Sequence, residues 1–311
     1  MSTIDRRKFL GASAGATLAA GATQLSAKEQ AADVAKPAGP PPPQPPVVEL
    51  GNTGIKVSRL AQGTGVKGGK RQSDQTRMGF EQIVPLFHHA FERGITFFDL
   101  ADLYGTHVYF REALRTIPRD QVTILTKIWW PYDGPRDETH DEERGQDTRS
   151  ALERFRHELT TDYLDIVLLH CLQVHDWPEK MQPYMEVLDE EKKAGRVRAV
   201  GVSCHDFGAM KTAATTPWVD VILARINPRG VKMDGSTEDV SEVLRTARQH
   251  GKAVIGMKIL GEGQLADERD ACIKFAQEAD LIDAMTIGFH TPAQIDEVLQ
   301  LMAKYPAVTK A

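Results

Sequence analysis

FEQIVPLFHHAFERGITFFDLADLYG, residues Phe80–Gly105, decides the fold. Ile83, Phe87 and Phe91 recur at a spacing of four, which predicts an amphipathic helix over 80–93. Gly94 stops it, since glycine just past a helical pattern is the usual end signal. Ile95 to Leu100 is then a short apolar run, which predicts a buried strand. The same alternation recurs in both directions. Arg59 to Thr64 reads as a strand upstream. Downstream strands are expected over 122–128, 163–169, 197–203, 219–226, 253–259 and 284–287, with helices over 148–159, 181–194 and 292–304. Strands alternating with helices imply parallel pairing through right-handed crossovers. Eight such units in about 250 residues predict an α/β fold of the TIM type, a (β/α)8 barrel. An open doubly wound sheet would carry a glycine-rich phosphate turn after its first strand, and Gly63-Thr64-Gly65 is not GxGxxG. Ahead of the barrel, Val48-Glu49-Leu50 and Ile55-Lys56-Val57 flank Gly51-Asn52-Thr53-Gly54, which predicts an N-terminal β-hairpin.

The first 46 residues have a different character. Asp5-Arg6-Arg7-Lys8-Phe9-Leu10 opens a weakly apolar run rich in Ala, Gly and Thr that ends near Leu25-Ser26-Ala27. A charged head, a short apolar stretch and a small-residue end read as a signal peptide over 1–27, too short and too weakly apolar for a stable membrane span. Paired arginines before Phe-Leu resemble the twin-arginine signal, which implies the twin-arginine translocase as partner and an exported, periplasmic location. Residues 28–46 are proline-rich and predict an extended linker, so the folded domain is expected over 47–311. The 311-residue chain is 41% hydrophobic and 26% charged, with a formal net charge of -5. That balance supports a large core and gives no electrostatic case for nucleic acid. Its three cysteines, Cys171, Cys204 and Cys272, show no zinc or iron–sulfur spacing, and an odd count argues against a disulfide framework.

In a TIM barrel, polar residues at strand C-terminal ends face the active site. The second expected strand ends in Phe98-Asp99-Leu100-Ala101-Asp102-Leu103-Tyr104, the third in Thr126-Lys127 and the fourth in Leu169-His170. These four residue types suit one chemistry. Carbonyl reduction by hydride leaves an alkoxide that needs a proton. Tyr104 is the expected donor, but a free tyrosine titrates near 10. Lys127 is expected to lower that value, with Asp99 as its counterion. His170 is expected to orient the substrate oxygen. Asp102 reads as a loop-holding residue.

The chain resembles the aldo-keto reductases. Leu50 to Ser58 is similar to that family's opening LGxTGxxVS, and Asp99 to Gly105 matches DxAxxYG. Thr126-Lys127, Leu168-Leu169-His170 and Gly201-Val202-Ser203 follow in order. The resemblance implies catalytic Asp99, Tyr104, Lys127 and His170. It also implies a nicotinamide cofactor, NADP(H) ahead of NAD(H), held tightly in an exported protein, and a small carbonyl or sugar substrate. It places the cofactor against Gly63, Thr64, Ser203, Arg225, Lys258, Leu260, Gly261, Gly263, Gly288, Gln294 and Glu297. Loop residues Trp129, Trp130 and Trp177 are the expected substrate surface. The cofactor side departs from the family at Cys204, Arg225, Pro228 and Val298, where Asn, Gln, Tyr and Asn are usual. Two other readings use the same scaffold. Asp99, His170, His205 and His290 at separate strand ends would suit a metal-dependent sugar epimerase or lyase. The altered cofactor loops would suit a non-catalytic binding protein.

Overall fold

Helix Phe80–Glu92 closes on Gly94, whose φ of 81° is left-handed. The Gly94 N–H donates to Phe91 O and the Ile95 N–H to Ala90 O. That pair of bonds satisfies the last helical carbonyls and turns the chain directly into the next strand. The helix buries Ile83, Leu86, Phe87 and Ala90. Phe91 is only partly buried and packs at the edge of the same core. The computed structural model describes residues 41–129 and 141–308. The expected signal peptide, most of the expected linker and Trp130 lie outside the described residues.

The hairpin pairs β1 (Val47–Glu49) with β2 (Lys56–Ser58), Val48 facing Val57. Eight parallel strands then close a barrel. They are β3 (Leu60–Gly63), β4 (Phe97–Asp99), β5 (Thr123–Ile128), β6 (Leu164–Leu172), β7 (Val197–Cys204), β8 (Val221–Arg225), β9 (Ala253–Met257) and β10 (Ala284–Gly288). Neighbours follow sequence order, and β10 pairs with β3 to complete the ring. The expected α/β barrel with an N-terminal hairpin is therefore what forms. None of the described helices is long and apolar enough to cross a membrane.

Two cores follow from the period-two geometry of the strands. Outward residues such as Phe98, Val167, Val200 and Ile222 pack against the helices. Inward residues Ala61, Phe97, Leu125, Ile166, Leu168, Leu223 and Ile255 fill the barrel. Leu50, Ile55 and Val57 of the hairpin belong to this inner cluster and seal one end. The alternation then fixes the other end. Each strand's next inward position is Asp99 after Phe97, Lys127 after Leu125, His170 after Leu168 and Arg225 after Leu223.

Three boundaries differ from the sequence reading. The helix expected from Thr148 begins at Asp141. Its first turns are almost wholly polar and give no periodicity, though Asp141, Glu142 and Glu143 suit a helix N-terminus. Strand β6 runs on past Leu169 through an irregular register to Leu172, with Cys171 at a φ of 59°. The folded unit also reaches back before Val47: Pro45 is buried, and the Arg59 N–H donates to Pro46 O at 2.8 Å.

Gly201 on β7 lies so close to β8 that a Cβ there would stand 1.9 Å from Val221 O. Gly201→Ala is expected to destabilise the barrel by about 1–3 kcal/mol. Gly69→Ala, whose Cβ meets nothing within 4 Å, should leave the urea midpoint unchanged. Equal midpoints for the two variants would show that β7 and β8 are not held at this spacing.

Candidate active site

The four residues singled out by motif and strand end do converge. The Lys127 ammonium is wholly buried and pairs with Asp99, and it also donates to Leu100 O at 2.9 Å. The second Asp99 oxygen accepts from Thr286 Oγ1 at 2.9 Å, from the last barrel strand. Lys127 Nζ lies 4.9 Å from the centroid of the Tyr104 ring. The Tyr104 hydroxyl lies 3.3 Å from His170 Nε2, with the two rings edge to face. Trp129 packs edge-on against the same imidazole at 5.5 Å.

Tyr104 ends a short 3₁₀ turn, Asp102–Tyr104, whose chain reverses at left-handed Gly105. Asp102 anchors that turn. Its buried carboxylate accepts from Arg71 at 3.0 Å and Arg154 at 2.7 Å, the loop-holding role expected for it. Gly65 and Gly68 make room for the phenol, since a Cβ at either would fall within 2.5 Å of the Tyr104 ring.

The electrostatics run opposite to one expectation. The net shift of the Tyr104 pKa is upward, despite the Lys127 ammonium beneath its ring. Burial first, then the charge of Asp99, hold the phenol well above its ordinary 10. Asp99 offsets the ammonium charge, while the hydroxyl loses its water. Burial and the Lys127 charge likewise hold the His170 imidazole well below 6.5. Both groups are therefore neutral near pH 7.

A second cluster borders the first. Arg225 Nη2 donates to His205 Nδ1 at 2.6 Å, and Arg225 Nη1 donates to Asp234 at 3.0 Å. This arrangement leaves the His205 proton on Nε2, which faces Cys171 Sγ at 3.5 Å. Burial and Arg225 press the His205 pKa down to about 3. Burial raises the Cys171 thiol to about 12, so it carries no thiolate reactivity at neutral pH.

A cavity of about 470 Å³ opens beside Tyr104. Of the expected cofactor residues, Gly63, Lys258, Leu260, Gly263, Gly288, Gln294 and Glu297 line it. Gly288 suits a close approach, since a Cβ there would fall 2.3 Å from Val66 Cγ2. Ser203 does not line the cavity itself, but its buried Oγ at the β7 end has no hydrogen-bond partner among the described residues and so keeps a donor for a ligand amide. These features fit a nicotinamide dinucleotide. Four expectations need correction. Arg225 does not line the cavity, and its guanidinium is held by His205 and Asp234. Thr64 is wholly buried and its hydroxyl donates to Asp99 O at 2.8 Å, so it positions the site from behind. Gly261 does not line the cavity, and its N–H donates to Lys258 O at 2.8 Å instead of facing a phosphate. Trp177 is wholly buried, with its indole N–H donating to Ala209 O at 3.2 Å, so it is core and not substrate surface. Asp99, His170, His205 and His290 form no metal-ligand group among the described residues, which removes the geometric basis of the metal reading.

Sequence reasoning missed Thr286, Asp234, Glu262 and Arg269. Thr286 had a signal, because it follows Ala284 on the inward parity of β10. The other three sit on loops or helices where no period points at the mouth.

The chain belongs to the Aldo/keto reductase family, whose model matches residues 59–307. It is 27% identical over 277 residues to the 6-dehydroglucose reductase of Novosphingobium aromaticivorans, covering 85% of this chain and 82% of that one. It is 26% identical over 235 residues to the NADH-specific methylglyoxal reductase of Escherichia coli, covering 70% of this chain and 68% of that protein. It spans 50% and 60% of the length of two further curated relatives, from Saccharomyces cerevisiae and Glycine max. Among solved structures, the holo form of aldo-keto reductase AKR11C1 from Bacillus halodurans shares the fold with a TM-score of 0.63 at 19% identity, over 84% of this chain and 92% of that one.

The lowered histidines predict a pH dependence. Both imidazoles are neutral in the folded protein, while the unfolded chain protonates them as pH falls below about 6.5. The unfolded state then binds more protons, so stability falls with pH. Each histidine contributes up to about 1.4 kcal/mol per pH unit. Urea unfolding between pH 7 and about 5, above the carboxylate range, should show this slope, and His205→Gln should reduce it. A flat profile would mean that His170 and His205 are solvated.

Proposed function

We propose that this protein is a nicotinamide-dependent oxidoreductase that interconverts a small carbonyl compound, an aldehyde, ketone or oxidised sugar, with its alcohol. One observation carries the reading: a neutral phenol on the cavity wall lies 3.3 Å from a neutral imidazole and over a buried ammonium–carboxylate pair. The names of the Novosphingobium and Escherichia coli relatives describe reductases of one oxidised sugar and one small dicarbonyl, which supports the substrate class.

The dinucleotide, when bound, supplies the hydride. The chain's own residues supply the rest. Ser203 Oγ would donate to the carboxamide, and Gly63 and Gly288 would let the cofactor lie close to the strand ends. Tyr104 and His170 would both face the substrate carbonyl oxygen, with His170 fixing the hydroxyl's direction. Tyr104 then gives its proton to the developing alkoxide. Its raised pKa keeps the proton in place until that charge appears. Lys127, held by Asp99 and Leu100 O, keeps a positive charge beneath the ring as the phenol becomes phenolate. In the oxidation direction the same groups accept the alcohol proton. Trp129 beside His170 offers an aromatic face at the substrate end.

Tyr104→Phe is expected to lower carbonyl-reduction turnover by about 100-fold or more, because it removes the proton donor. Dinucleotide binding should be unchanged. Steady-state kinetics with a panel of small aldehydes and oxidised sugars checks this, and undiminished turnover would exclude Tyr104 as donor.

We also propose export through a twin-arginine signal. Arg6-Arg7 ahead of Phe9-Leu10 and the apolar run to Ala27 support it. In this reading the protein folds in the cytoplasm and carries its cofactor out. Replacing both arginines, Arg6→Lys with Arg7→Lys, should leave the chain in the cytoplasmic fraction. Unchanged secretion of the double variant would overturn the proposal.

A further inference from the structure

The cavity beside Tyr104 has a charged rim of Lys258, Glu262, Arg269 and Glu297, of which Lys258 and Glu262 lie nearer the Tyr104 site and Arg269 and Glu297 are the more exposed. These four charges form two closed pairs. Lys258 Nζ donates to Glu262 at 2.9 Å, and Arg269 Nε donates to Glu297 at 2.5 Å. The rim therefore has two cations and two carboxylates, and no net charge. The neighbouring helix Pro292–Lys304 closes a capping box at its start. Gln294 N donates to Thr291 Oγ1, while Gln294 Oε1 accepts from His290 N at 2.8 Å and Thr291 N at 3.3 Å.

We propose that this rim selects NAD(H) over NADP(H), with Glu297 accepting hydrogen bonds from the ribose hydroxyls. The inference rests on the dinucleotide reading above and adds which dinucleotide is taken. The hydride must be delivered at the Tyr104 end, so the far ribose of an elongated dinucleotide would lie toward the more exposed Arg269–Glu297 pair. The two nucleotides differ there by one phosphate. A phosphate monoester brings a charge of about -1.5 to -2. It would have to separate Arg269 from Glu297 and then sit beside the displaced carboxylate, with Lys258 already held by Glu262. A ribose with free hydroxyls reverses that logic, because a hydroxyl donates to a carboxylate, the arrangement by which an acidic residue recognises the NAD ribose in other folds. Glu297 is 44% exposed, so its carboxylate is open to such a contact. The proposal takes the opposite side from the sequence expectation of NADP(H).

Native mass spectrometry of the full chain with equimolar NAD⁺ and NADP⁺ tests the proposal and reads any retained nucleotide in the same spectrum. The NAD adduct is expected to exceed the NADP adduct by about tenfold or more, the ratio that about 1.4 kcal/mol confers. Glu297→Gln removes the carboxylate and frees Arg269, so the ratio should fall by about tenfold or invert. Glu297→Asp should retain a preference for NAD. An NADP adduct equal to or stronger than NAD in the unaltered chain would overturn the proposal. So would an unchanged ratio in Glu297→Gln. Absence of both adducts would instead overturn the dinucleotide reading on which the proposal rests.

Discussion

A lysine ammonium with no exposed surface is the constraint on which this site depends. Moving such a charge out of water costs several kcal/mol even after the protein relaxes. Lys127 is tolerated because Asp99 faces it from the next strand and Leu100 supplies a carbonyl. Asp99 is itself fixed by Thr286, while Thr64 holds its main chain. An apolar pair of similar volume would stabilise the barrel about as well. The charged pair earns its place through what lies above it, the Tyr104 ring. Losing either partner would leave a lone buried charge, at a cost of about 3–5 kcal/mol.

Much of this was legible in the chain because period two leaves a written trace. Once Phe97, Leu125 and Leu168 are assigned inward, Asp99, Lys127 and His170 must also point inward. The same parity reaches Ser203 and Arg225. The helix stop at Gly94 was visible because only a left-handed residue completes that cap. What could not be read depends on contacts between distant segments. Trp177 looks like a loop aromatic until helix Phe207–Thr215 brings Ala209 over its indole. The direction of the Tyr104 shift depends on how completely Asp99 offsets Lys127 and on how dry the hydroxyl is, and neither is a property of a motif. The start of the helix at Asp141 was hidden because a solvated polar face carries no hydrophobic period.

The barrel also braces its mouth from outside. Arg154, on helix Asp141–Leu159, joins Asp102 at 2.7 Å and Glu158 at 3.1 Å. Glu158 holds His107, whose other ring nitrogen meets Thr126 Oγ1 at 2.7 Å, one residue before Lys127 on β5. One continuous set of polar contacts thus links the turn bearing Tyr104 to the strand bearing Lys127. Groups set within tenths of an ångström need such second contacts, because rotamer freedom would otherwise blur the geometry.

The bond from Thr286 to Asp99 spans 187 positions. It bridges the last barrel strand to the second, so it cannot exist until the ring has closed. Contacts of such long range form late, since their loop entropy must be met first. A nascent chain with seven strands in place would bury Lys127 against an aspartate that still lacks one of its supports. Catalytic competence would then mark the final step of folding, and a chain released before closure would be both unstable and chemically silent.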